Sequence, residues 1–107
     1  MATASFVQIG ENIDFTASED IEYMEIVPLK TCIGIAMSTI AKGATGTLSL
    51  TGVYDIPAAT GALAVGDAVY FDVERGSITA TKASNVPAGI AVLAKAESGT
   101  TARVRIG

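Results

Sequence analysis

The sequence predicts an all-β protein, a small single-domain β-barrel or sandwich of short antiparallel strands with at most a short helix. Three observations carry that expectation. Apolar residues recur with period two in several short runs, which places them on one face of an extended chain. Turn clusters built on glycine separate those runs. The apolar half of the 107 residues comes from small and β-branched side chains, with 6% aromatics and no tryptophan.

The first candidate strand spans residues 6–16, where Val7, Ile9, Ile13 and Phe15 fall at odd positions around a Gly10-Glu11-Asn12 turn. Residues 24–29 and 32–37 follow, divided by a turn near Pro28-Leu29-Lys30. A strand over 48–54 comes after the cluster Gly43-Ala44-Thr45-Gly46. Residues 68–81 read as a hairpin. Val69, Phe71 and Val73 alternate with Tyr70 and Asp72, and the connection Glu74-Arg75-Gly76 puts glycine at a left-handed position. Residues 58–65 are a loop or one helical turn. In 87–98 a strand over 89–95 is preferred to a helix opened by Pro87, because Gly89 is a poor helix residue. The last strand, 101–106, sends Ala102, Val104 and Ile106 one way and Arg103 and Arg105 the other. Gly34-Ile35-Ala36 recurs as Gly89-Ile90-Ala91, and each is followed by an alternating strand, 48–50 and 104–106. The echo reads either as two similar β-units or as coincidence among Ala, Gly and Thr.

A chain of this length suits one domain and hides roughly 65% of the surface its unfolded form exposes. The expected domain is residues 1–107, with 1–5 as a flexible, polar N-terminal arm. A core of small side chains is thin, and thin cores lean on contacts between copies, so a homo-oligomer is expected. Net charge is −4, and the seven basic residues are scattered. Direct nucleic-acid binding, which needs a basic footprint, is therefore not expected. No run of about 18 apolar residues is present to span a membrane. The first ten residues lack the charged and apolar regions of a secretory signal, so synthesis inside the cell is expected.

Chemistry-bearing patterns are scarce. The sequence has no histidine, which removes the commonest general base and metal ligand and leaves Ser-His and Cys-His pairs impossible within one chain. Cys32, the single cysteine, reads as a small buried thiol on an apolar strand. Glu19, Asp20, Glu22 and Glu25 lack the spacing of a calcium loop and read as a solvated acidic loop, a cation site or a contact with a partner. Asp67 after Gly66 reads as a turn cap. No Gly-Lys pair is present, so a phosphate loop is absent. No catalytic, cofactor-binding or metal site is assigned, and the chain is not expected to be an enzyme. Arg103 and Arg105 read either as a basic stripe for an acidic surface, such as the 19–25 segment of a neighbouring subunit, or as an ordinary solvent face. An arm beside an amphipathic strand can add to a partner's sheet edge. The candidate partner-binding residues are therefore Phe6, Val7, Ile9, Arg103 and Arg105.

The order of several segments resembles the phage capsid cement, or decoration, protein family, which has also carried the label of a predicted phage recombinase. Phe6-Val7-Gln8 and the stretch from Gly10 to Thr16 are similar to its opening. Gly34-Ile35-Ala36, Ile40-Ala41-Lys42-Gly43, Gly46-Thr47-Leu48 and the stretch from Gly52 to Pro57 resemble its middle. Gly66-Asp67-Ala68-Val69-Tyr70-Phe71-Asp72 is similar to its most recognisable stretch. Gly89-Ile90-Ala91 and the stretch from Ala102 to Ile106 resemble its end. Departures are Ile9, where the family often has proline, and Met24-Glu25, where a Gly-Asp pair is usual. The recombinase label implies ATP binding, against which the missing phosphate loop stands. The cement role implies a structural protein on the outer surface of a phage head. Its partner would be the major capsid protein, and it would act as a small oligomer, a trimer in preference to a dimer, made in the host cytoplasm. The competing reading is a tail or baseplate protein, or a receptor- or glycan-binding β module. Tyr23, Tyr54 and Tyr70 do not cluster in sequence as sugar-stacking aromatics would.

Overall fold

Period-two patterning is realised as nine short strands in two antiparallel sheets, in a computed structural model that describes residues 2–6 and 10–107. The first sheet contains β1 (Asn12–Thr16), β2 (Ile26–Pro28), β3 (Ile33–Ala36) and β4 (Thr45–Ser49), in spatial order β1-β4-β3-β2. The second contains β5 (Gly52–Pro57), β6 (Ala68–Asp72), β7 (Ser77–Thr79), β8 (Val86–Ala91) and β9 (Thr101–Ile106), in order β5-β9-β8-β6-β7. Among the described residues there is no helix. The sheets pack in a sandwich-like arrangement. The edges of the second sheet meet only at an isolated Ala58–Ile78 bridge, so it curls without closing into a barrel.

The larger core lies against the second sheet and contains Ile56, Val69, Phe71, Ile78, Val104 and Ile106. Ile33 and Ile35 of β3 join it from the first sheet. A smaller core on the other side of β3 gathers Ala36, Ile40, Leu48, Ile21 and Val27. All four residues of β3 are consequently buried, because both of its faces are covered.

The sequence echo is a structural repeat. Leaving out β7, the second sheet has the topology of the first, with β5, β6, β8 and β9 in the places of β1, β2, β3 and β4. The register agrees as well: Ile35 faces Ser49 and Ala36 faces Leu48, as Ile90 faces Arg105 and Ala91 faces Val104. The turns preceding β2 and β6 share three backbone features. Met24 N–H donates to Ala36 O at 2.9 Å and Gly66 N–H to Ala91 O at 2.8 Å. Ala36 and Ala91 N–H donate back to Glu25 O at 3.0 Å and Asp67 O at 2.9 Å. Glu22 N–H donates to Glu25 Oε1 at 3.2 Å, and Ala64 N–H to Asp67 Oδ2 at 2.8 Å. Asp67 is thus the turn cap its position predicts. The Met24-Glu25 pair occupies, in the first unit, the place that Gly66-Asp67 holds in the second.

Several boundaries differ from the expectation. Residues 48–54 are not one strand. Leu50 and Thr51 carry the chain from β4 in one sheet to β5 in the other, with Ser49 Oγ donating to Thr51 O at 2.8 Å and Gly52 at φ 135°. The strand expected over 89–95 is β8, which starts earlier and ends at Ala91. Cys32 lies in the β2–β3 turn instead of on a strand, and is half-buried. Val73 is exposed in the β6–β7 turn, where Asp72 Oδ1 accepts the N–H of Glu74 at 3.1 Å and of Arg75 at 3.2 Å. That turn closes on Gly76 at φ 66°, the left-handed glycine that the hairpin requires.

Candidate functional site

Among the described residues, no three of Asp, Glu and Cys converge in a way that would hold a metal ion. Of the acidic residues at 19–25, Asp20 accepts the Lys42 N–H at 2.8 Å and Glu25 caps its own turn, so two of the four serve the local backbone. The depression beside the 59–63 loop is lined by Ala59, Thr60, Leu63, Ile78 and Thr79, with no titratable group. Lys95 is buried at the place that Ile40 holds in the first unit, and each residue forms a reciprocal backbone bridge, to Leu63 and Ile21 respectively. Its Nζ donates to Gly61 O and, at 3.1 Å, to Ala96 O. This lysine ties two loops together and is largely withheld from solvent.

What the fold does present is a mixed apolar and basic row on an exposed sheet face. The outer face of the second sheet carries a row formed by cross-strand pairing: Val53 faces Arg105, Arg105 faces Ile90, and Ile90 faces Ala68. All four are exposed, Val53 to 56% and Ile90 to 38%. Two residues along the same strands, Arg103 faces Asp55. Arg103 Nε donates to Asp55 Oδ1 at 3.0 Å and Nη2 to Oδ2 at 3.3 Å, a two-pronged pair. The hydrogen bonds from Arg103 hold the Asp55 carboxyl below its ordinary value, and the same pairing raises the Arg103 guanidinium. The two arginines share a face, as the alternation on β9 predicts, but differ in state. Arg103 is matched within the chain, whereas Arg105 has no ion pair among the described residues. Asp55 lies 48 positions away in sequence. Only the β5–β9 register brings it to Arg103, and no local pattern announces that.

The equivalent turns each end in an exposed apolar residue, Tyr23 at 64% and Val65 at 67%. Tyr23 is followed by Met24 in the left-handed region at φ 68°, where its counterpart Gly66 has φ 93°. Periodicity does not flag these tips, because they lie between strands. Of the candidate partner-binding residues near the N-terminus, Phe6 is 86% exposed and belongs to no strand, although a strand over 6–16 is expected. Val7 and Ile9 lie outside the described residues.

A family model described as phage cement protein matches residues 7–106, nearly the whole chain. The chain belongs to that family, whose role is a structural one in phage. No curated protein matches the chain. No solved structure matches it either.

Proposed function

We propose that this member of the phage cement protein family binds the outer surface of a phage head and stabilises the shell, without catalysing a reaction. The family match over residues 7–106 carries this reading. It is supported by an all-β scaffold whose conspicuous surface features are exposed apolar side chains and an arginine, Arg105, that has no ion pair among the described residues. The partner is the major capsid protein, and the protein acts as a small homo-oligomer made in the host cytoplasm and carried on the virion. The chain works as one domain, because both sheets contribute to the larger core, with residues 1–5 as an arm.

The physical task of such a protein is to add contact area across neighbouring shell subunits. About 1,000–2,000 Å² per copy is the size of a stable specific interface. Repetition over many symmetric sites multiplies a modest contact through effective concentration. Phe6, Val7 and Ile9, which follow the arm, supply apolar and backbone contacts suited to extending a sheet edge of the partner. Arg105, with Arg103 beside it, supplies a cationic contact.

The test is to add purified protein to mature heads that lack it, measure bound protein by co-sedimentation, and locate it by immunogold labelling. Saturable binding with label on the head is expected. Label on the tail or baseplate, or no saturable binding, overturns the proposal.

A further inference from the structure

The repeat is incomplete in one place. In the second unit β7 lies beyond β6 and pairs with it from Tyr70–Thr79 to Asp72–Ser77. It also reaches the end of β5 through the Ala58–Ile78 bridge, where Ala59 N–H donates to Ile78 O at 2.8 Å. Ile78, at the centre of β7, is 1% exposed and belongs to the larger core. In the first unit β2 and β3 are joined by a tight turn, with Leu29 N–H donating to Cys32 O at 2.8 Å, and β2 is the last strand of its sheet. Among the described residues, no strand takes the place of β7 there.

That place is a groove. A depression of about 300 Å³ lies between the end of β1 and β2, with Phe15, Ile26, Val27 and Pro28 in its lining. Apolar positions around it are more open than in the second unit. Phe15 and Leu29 are half-buried, whereas their counterparts Ile56 and Phe71 are buried. Backbone groups are available as well, because hydrogen bonding alternates from side to side along an antiparallel strand. Glu25 and Leu29 make their bonds towards β3, to Ala36 and Cys32. The N–H and C=O of Ile26 and the C=O of Pro28 therefore point away from β3. An edge of this kind is a template for one more strand.

The second unit shows what fills such a place: a short extended segment, Ser77-Ile78-Thr79, with a β-branched apolar side chain at its centre. Charge adds a further requirement. Glu19, Asp20 and Glu25 stand exposed around the groove, which favours a segment carrying Lys or Arg beside its apolar residue. The N-terminal arm of this chain lacks that chemistry, since no basic side chain precedes Lys30.

We propose that the groove between β1 and β2 receives one extended strand of the major capsid protein. The strand pairs with the edge of β2 as β7 pairs with that of β6. It sets an aliphatic side chain over Phe15 and Val27, and a cationic one against Glu19. The inference rests on the head-binding reading and deepens it, by giving the place on this chain and the chemistry of the segment that enters. Here the shell donates the strand and this chain supplies the sheet edge.

The experiment is amide hydrogen exchange on the full chain, free and bound to mature heads that lack it, with head binding of variants measured by co-sedimentation and their folding by circular dichroism. Binding to heads is expected to slow exchange of the Ile26 amide at least about tenfold, the effect of one added hydrogen bond on a sheet edge. Glu19→Lys is expected to weaken head binding about tenfold through charge reversal. Ser18→Trp, on the groove wall, is expected to weaken it by filling the space. Lys82→Glu, on the β7–β8 connection, leaves binding unchanged. Saturable head binding with no slowing at Ile26, or wild-type binding by every groove variant that folds, overturns this proposal and leaves the head-binding reading standing. Absence of saturable binding by the wild type overturns both. Slowing at Ile26 without heads that grows with protein concentration would mean that a second copy fills the groove, and overturns the proposal too.

Discussion

Gly34 and Gly89 hold the same place in the two units, yet the space around them differs. A Cβ on Gly34 would meet the Leu48 side chain, at 3.1 Å from its Cδ1. A Cβ on Gly89 would lie 2.0 Å from the carbonyl oxygen of Arg105, with φ at 145°. In the first unit, then, a movable side chain fills the site, while in the second the β9 backbone does. The difference follows from the neighbouring pairing. β6 meets β8 through a register shift between Val69 and Tyr70, which the β2–β3 pair lacks. One topology has been kept while its two copies have been tightened in different places, the first by burial on both faces and the second by close backbone approach.

The sharpest way to break that comparison is to add one methyl group to each glycine. Gly89→Ala is expected to destabilise the fold by about 3 kcal/mol or more, because strain and backbone overlap add. Gly34→Ala is expected to cost about 1 kcal/mol, since Leu48 can shift. Chemical denaturation of both variants checks the difference. Equal costs would mean that the two sites are equally roomy and the repeat more symmetric than described.

Met24 and Gly66 make the converse comparison. Both sit in the left-handed region, and a side chain with a β-carbon loses about 1–2 kcal/mol there. Met24→Gly is therefore expected to stabilise the protein by about 1 kcal/mol and Gly66→Ala to destabilise it by a similar amount, once the flexibility of glycine in the unfolded chain is included. A loss of stability in Met24→Gly would show that the methionine side chain packs well enough to outweigh its backbone strain.

How much of this was readable beforehand depended on the range of the interaction. The 68–81 hairpin and the last strand were legible, because Val69, Phe71, Val104 and Ile106 alternate locally and Gly76 sits where the turn needs it. The echo of Gly34-Ile35-Ala36 in Gly89-Ile90-Ala91 pointed to the repeat, and the chain's likeness to cement proteins pointed to the family. The break at Leu50 and Thr51 was hidden. The apolar residues on either side continue one alternation, and only a change of sheet separates them. Met24 gave no signal either, since methionine carries no preference for the left-handed region and its role is visible only beside Gly66. The partner of Arg103 was out of reach for the same reason, being fixed by strand register and not by sequence spacing.

The Asp55–Arg103 pair distinguishes the units most gently. The counterpart of Asp55 on β1 is Asp14, which faces the uncharged Thr47. The folded-state pKa of Asp55 lies below its ordinary 3.8, so its contribution is present above about pH 3.8 and is lost as pH falls through the lowered folded value. Stability measured against pH should accordingly show a small advantage of wild type over Asp55→Asn above that pH, closing in stronger acid. The pair is exposed and screened, so the effect is expected to be the smallest of these and to shrink further in high salt. An advantage that grows in acid would reverse the sign and contradict the pairing.

The proposed role is reinforcement of a phage head. Its most direct test is the temperature at which DNA-filled heads release their contents, measured with and without saturating protein. Decorated heads are expected to hold their DNA to a higher temperature, in proportion to occupancy. An unchanged release temperature at full occupancy would contradict the account.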